Sequence, residues 1–177
     1  STSAKVDPKS IKERKCFLCE ESLPAAQERV EYKNGYRILV NPFPIFPEHF
    51  TIPKMGHLPQ QITGNFGDML QLTKDLDGEY TVFYNGPKCG ASAPDHFHFQ
   101  AGTRKFMSIE NDFDELKKRY SLVNRNVNGI GISLIDDGIR KMVFLQGSDK
   151  SAVEKEFYSI FNRYSEMVHV DEEPLMN

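Results

Sequence analysis

Short runs of β-branched and aromatic residues, each closed by proline or glycine, are interleaved along this chain with longer stretches of helical period. Tyr36-Arg-Ile-Leu-Val40 predicts a strand that ends at Asn41-Pro-Phe-Pro44, and Phe50-Thr-Ile-Pro53 predicts a second, closed by Pro53. From Leu58 to about Leu76, the residues Ile62, Phe66, Met69, Leu70, Leu72 and Leu76 fall mostly on one helical stripe, with Gly64 and Gly67 weakening its start. Tyr80-Thr-Val-Phe-Tyr84 predicts a strand, Asn85 to Ser92 a glycine-rich turn, and His96 to Gly102 a further strand. Residues 110–120 predict a helix and Asn124 to Gly129 a loop. Gly131 to Ile135 and Lys141 to Leu145 flank Asp137-Gly138, a hairpin signal. Residues 150–168 predict an amphipathic helix with Val153, Phe157, Ile160, Phe161 and Tyr164 on one face. Hairpins mixed with helices, without regular βα alternation, imply an α+β fold with a mostly antiparallel sheet and flanking helices. Residues 1–15 read as a polar arm, 16–170 as one domain, and 171–177 as a tail that opens a second half.

The 177 residues suffice for one domain with a real core, and a 39% hydrophobic, 27% charged composition is that of a globular chain. No apolar run approaches the roughly 20 residues needed to span a bilayer, and no basic-then-apolar signal segment opens the chain. A net charge of −3 argues against a nucleic-acid surface but leaves room for one phosphorylated ligand in a local anion site. Three cysteines are too few, and odd in number, for a disulfide framework, which points to a reducing, cytoplasmic setting.

Chemistry concentrates in Ala93-Pro-Asp-His-Phe-His-Phe-Gln-Ala-Gly102. Strand side chains alternate with period two, so His96, His98 and Gln100 share one face while Phe97 and Phe99 share the other. A lone His-x-His pair is ordinarily two solvent-facing side chains on an edge strand. Here the glutamine extends the alternation, and the glycine-rich turn before it offers backbone N–H groups for an anion. Asp95 either orients an imidazole or caps the turn. Upstream, Cys16-Phe-Leu-Cys19 has the spacing that lets two thiolates grip one tetrahedral Zn²⁺, although a chance or redox pair shares that spacing.

His96-Phe-His-Phe-Gln-Ala-Gly102 resembles the signature of the histidine-triad (HIT-like) superfamily, with Gln in the third position as in the galactose-1-phosphate uridylyltransferase and GDP-hexose phosphorylase branch. Asn85, Gly90, Ser92 and Pro94, ahead of the two histidines, are similar in order and spacing to that branch's active-site segment, and Asn41 to Pro53 is similar to the Asn-Pro and His-apolar-Pro stretch of triad proteins. It also resembles uncharacterised bacterial members, over about Cys16 to Gly102. The resemblance implies a HIT-like fold. It also implies nucleotidyl transfer or phosphorolysis of a nucleotide sugar or dinucleoside polyphosphate, with phosphate or a sugar phosphate as acceptor. In it His98 is the nucleophile and Gln100 donates to the phosphoryl oxygens. Asn41, Asn85, Gly90, Ala91 and Ser92 are the implied substrate-binding positions, with Lys88, where relatives differ, adding a positive charge, and the Asn41-Pro-Phe-Pro segment with Phe46 the base or ribose contact. A structural zinc on Cys16, Cys19, His57 and His96 is implied as well, with His49 as the alternative to His57. A homodimer fits the branch. The alternatives are a hydrolase of nucleoside conjugates, which Gln100 disfavours, and a zinc-stabilised nucleotide-binding module without turnover.

Overall fold

The structure is a computed structural model that describes residues 7–169 and 172–177. Where the sequence reading runs one domain from 16 to 170, the chain divides into two compact units, Ser1–Arg104 with Asp171–Asn177, and Lys105–Val170. Both are built of antiparallel strands and helices, so the α+β expectation holds.

The first unit holds helix α1 (Pro8–Glu13), strands β1 (Arg29–Tyr32), β2 (Tyr36–Val40) and β3 (His49–Pro53), helix α2 (Phe66–Asp75), and strands β4 (Tyr80–Phe83) and β5 (His98–Thr103). The five strands pair antiparallel in the order β1-β2-β3-β5-β4, which places β5 inside the sheet with a neighbour on each side. Alternation from Phe97 into β5 sends Phe97, Phe99 and Ala101 into the core. The Phe97 and Phe99 rings pack 4.9 Å apart, edge to face, and Tyr36 stacks on Phe99 at 5.7 Å while Tyr84 stacks on Phe97 at 6.0 Å. This aromatic layer backs the polar face of the strand.

Two boundaries in this unit differ from expectation. The helix starts at Phe66, not Leu58, because Gly64 takes a left-handed φ of +79° and the Ile62 N–H is given to a carboxylate instead of a helical carbonyl. β5 starts at His98, not His96, because the His96 N–H closes a turn onto the Ala93 carbonyl at 3.1 Å and Phe97 N–H bonds the Leu58 carbonyl at 2.6 Å. The polar arm also contains an element, α1, with Asp7 accepting the Ser10 N–H as its N-cap.

The carboxylate that takes the Ile62 N–H is Glu173. Residues 172–177 belong to the first unit, and the buried Glu173 side chain accepts from Ile62 N and from the Tyr84 hydroxyl, each at 2.6 Å. Burial holds the Glu173 carboxyl above the usual carboxylate range, against the hydrogen bonds that favour its ionised form. The folded chain keeps a proton there that the unfolded chain has lost. The stability this group contributes is therefore full below the ordinary glutamate range and falls as pH rises through the raised folded value. Glu173→Gln is expected to flatten that slope in urea midpoints measured across pH, since the Tyr84 hydroxyl can turn to accept from the amide. An unchanged slope would assign the pH dependence to other groups.

The second unit holds α3 (Ser108–Tyr120), β6 (Ser121–Val127), β7 (Ile130–Asp136), β8 (Lys141–Gln146) and α4 (Lys150–Val168), its strands in the order β6-β7-β8. α4 is capped by Asp149, which accepts from Ser151 N and Ala152 N, and buries Val153 and Phe161 as its period requires. The segment expected as a loop, 124–129, is mostly strand. Asn128 and Gly129 both take positive φ, 51° and 83°, and form the two-residue turn that joins β6 to β7 in register. Among the described residues, no helix is long and apolar enough to cross a membrane.

Candidate functional site

Cys16, Cys19, His57 and His96 come together, with one ligand atom of each lying within 4.8 Å of the others. Three chain segments supply them: the turn after α1, where Cys19 N–H bonds the Cys16 carbonyl, the stretch after β3, and the turn before β5. Cys16 Sγ lies 3.2 Å from His96 Nδ1, and Cys19 Sγ lies 3.3 Å from His57 Nδ1 and 3.6 Å from His96 Nδ1. Tetrahedral bonds of ~2.3 Å to sulfur and ~2.0 Å to nitrogen would place such an S···N pair about 3.5 Å apart. The tautomer of His96 follows from its other nitrogen. Nε2 sits 2.7 Å from the Lys54 carbonyl, which can only accept, so Nε2 carries the hydrogen and Nδ1 turns its lone pair to the sulfurs.

Without an ion, a protonated His96 can instead donate from Nδ1 to Cys16. Burial pushes the Cys16 thiol up, but the hydrogen bond and charge of His96 outweigh it and bring the thiol down to about 6. Burial and then the neighbouring Cys16 push Cys19 up to about 11. On His96, burial opposes charge, and the Cys16 and Lys54 contacts overcome it and raise its pKa. Without an ion, these values leave one thiolate, Cys16, beside one thiol, Cys19, and an S₂N₂ donor set of this kind can hold a metal ion. The two segments on either side are also tied by an ion pair. Arg14 Nη2 meets Asp95 Oδ1 at 2.5 Å, with the guanidinium 4.9 Å from the Phe17 ring centre. Asp95 thus neither caps the turn with its side chain nor hydrogen-bonds an imidazole; it ties Arg14, two residues ahead of Cys16, to the residue ahead of His96.

His98 lies beyond this cluster on β5, buried although it is on the polar face. Its Nδ1 is 2.9 Å from the His96 carbonyl, so Nδ1 carries the hydrogen and Nε2 is left with a lone pair that no described residue engages. Burial lowers the pKa of His98, which favours the neutral ring. Two residues on, Gln100 Oε1 is 2.8 Å from His49 Nε2. The Ile45 N–H donates to His49 Nδ1 at 3.3 Å, which makes Nε2 the donor and fixes the glutamine with its oxygen toward His49. The Gln100 –NH₂ is thereby turned away from His49, a pair of donors that no described residue engages. His49 is not in the metal cluster; its task is to orient Gln100.

The other expected positions divide. Asn41 is spent on structure: its Nδ2 donates to Thr51 Oγ1 at 2.9 Å and its Oδ1 accepts from Phe43 N at 2.8 Å. Phe46 is buried against His49 and Phe83, and a Cβ on Gly102 would lie 2.6 Å from its ring, so it packs the site from within and offers no free face. Phe43 in the same segment is 72% exposed. In the glycine-rich turn, Asn85 is half-buried, Ala91 buried, and Gly90 and Ser92 exposed, with Ala91 N–H on the Gly86 carbonyl at 3.4 Å. Lys88 is mostly exposed and pairs with Glu172 at 2.5 Å, while Gly86 N–H donates to the Met176 carbonyl and to Asn177 Oδ1.

Sequence reasoning missed Arg14, Gln60 and Glu173, and gave His49 only as a spare ligand.

A family model described as Domain of unknown function (DUF4922) matches residues 1–103, a little over half of the chain. No curated protein matches the chain. No solved structure matches it.

Proposed function

The chain belongs to the DUF4922 family, a family of unknown function, and from the chemistry of its site we propose that it is a nucleotidyltransferase or phosphorylase acting on a nucleotide sugar or dinucleoside polyphosphate. One observation carries the proposal: His98 is buried, held as the Nδ1–H tautomer by the His96 carbonyl, and has an uncommitted Nε2 lone pair beside a glutamine whose donors are also uncommitted. A neutral imidazole of this kind is a competent nucleophile toward phosphorus.

In the proposed step, the Nε2 lone pair forms a bond to the α-phosphorus. The bond from that phosphorus to its bridging oxygen breaks, and the electron pair leaves with the departing sugar phosphate or nucleotide. An oxygen of inorganic phosphate or a sugar phosphate then attacks the same phosphorus, and the N–P pair returns to Nε2. The Gln100 –NH₂, held by His49, donates to the non-bridging oxygens as charge builds on them. An amide cannot relay a proton to a water molecule, which favours a persistent intermediate over direct hydrolysis. The exposed ring of Phe43 suits stacking on a base. Zinc is the metal that best suits Cys16, Cys19, His57 and His96, and its contribution there is a structural cross-link. A reducing, cytoplasmic setting would keep both cysteines available as thiolate ligands.

Incubation with ADP-, GDP- and UDP-sugars and diadenosine tetraphosphate, with and without inorganic phosphate, tests this by product analysis. The expected result is phosphate-dependent release of a nucleoside diphosphate and a sugar phosphate. Cleavage at an equal rate without phosphate would make the protein a hydrolase, and binding without any product would make it a binding module.

A further inference from the structure

Gln60 lies between β3 and α2, outside any strand, and is 1% exposed. Its Oε1 accepts the His98 N–H at 2.8 Å, and its Nε2 donates to the His98 carbonyl at 3.0 Å. That pair of bonds is what a residue on a neighbouring antiparallel strand would make to His98. β4 provides such a neighbour only as far as the Phe83–Gln100 pair. Continued in register, the pairing would set Asn85 opposite His98. Instead the second Nε2 hydrogen of Gln60 goes to the Asn85 carbonyl at 3.0 Å, so the side chain is interposed between the two backbones. Its own backbone is fixed by the Gln60 N–H on the Pro94 carbonyl at 3.1 Å.

We infer that Gln60 is a positioning residue that opens the sheet by one amide group at His98 and sets the spacing between the His98 peptide and the first residue of the glycine-rich turn. The chemistry at this point requires one acceptor and two donors in a water-excluded place, and among side chains a glutamine supplies that set with the needed reach. A glutamate would face two carbonyl oxygens with two acceptors. A leucine would leave a buried N–H and two carbonyls without their partner. An asparagine, shorter by one methylene, cannot span the same gap. The inference rests on the reading that His98 attacks phosphorus for its functional consequence, but the placement of the His98 ring can be read without substrate.

The experiment uses the full chain carrying Gln60→Glu, with Gln60→Asn beside it in case the first does not fold. Imidazole nitrogen NMR of the ligand-free protein reports the His98 tautomer. The expected result is a single Nδ1–H form in the wild type and a mixture of tautomers in the variants. Single-turnover kinetics with the nucleotide sugar that the wild type uses should show adduct formation slowed about 100-fold, with KM changed about threefold or less and bound metal unchanged. Identical His98 spectra in wild type and variants overturn the inference, whether or not any adduct forms. A wild type that forms no adduct with any nucleotide removes the nucleotidyl-transfer reading and leaves the spectrum to decide the role of Gln60.

Discussion

Cys16→Ala is expected to purify without metal and to lose most of the stability of the first unit. The four ligands come from segments far apart in sequence, with Cys16 80 residues from His96 and Cys19 38 residues from His57. One ion at their centre closes both loops at once, and structural zinc sites of this donor type contribute on the order of 10 kcal/mol in small metal-dependent folds. Part of that is recovered here because an aromatic core and a five-stranded sheet exist apart from the cluster, so a loss on the order of 5 kcal/mol is expected. Elemental analysis should find about one zinc per wild-type chain and a trace in the variant, and urea unfolding should show the loss. Cys89→Ala is the control: this thiol is free and outside the cluster, and its removal should leave the metal in place. If Cys16→Ala retains its zinc, or keeps wild-type stability without it, the cluster is not a structural metal site.

On the proposed reading, His98→Ala should abolish the covalent nucleotidyl adduct and lower turnover by about 1,000-fold or more, since the proposed nucleophile is gone. The ring is 2% exposed, so alanine also leaves a cavity, at a cost of about 1–3 kcal/mol. His98→Asn fills more of that space, keeps a polar side chain and still cannot act as the nucleophile. Both variants should bind nucleotide while showing no acid-labile label on the protein after incubation with nucleotide labelled at the α-phosphate. An adduct that persists in both places the nucleophile elsewhere.

Local pattern carried much of this site. Strict alternation through Phe97, His98, Phe99 and Gln100 assigns each side chain to a face, because a strand in a sheet admits only two. The Cys-x₂-Cys spacing marks Cys16 and Cys19 for the same kind of reason, and the structure brings His57 and His96 to them. What stayed hidden depends on contacts remote in sequence. Gln60 reads as one of two ordinary glutamines near the start of an expected helix until the register of β4 against β5 shows the place it fills. His49 acquires its role only when β3 lies beside β5, which brings its ring within 2.8 Å of Gln100. The strand at 121–127 was masked by asparagines that disfavour strands locally and are tolerated at the edge of a sheet.

Residues 172–177 return to the first unit after the chain has built the second. The acceptor of the Tyr84 hydroxyl is therefore made 89 residues after Tyr84 itself. At ribosomal rates of about 5–20 residues per second, the core beneath Phe97 waits roughly 4–18 s for its last carboxylate. A nascent chain halted before Glu173 would hold the sheet and the histidine strand with this closure unmade, so protease resistance of the first unit should rise only once residue 173 has left the exit tunnel.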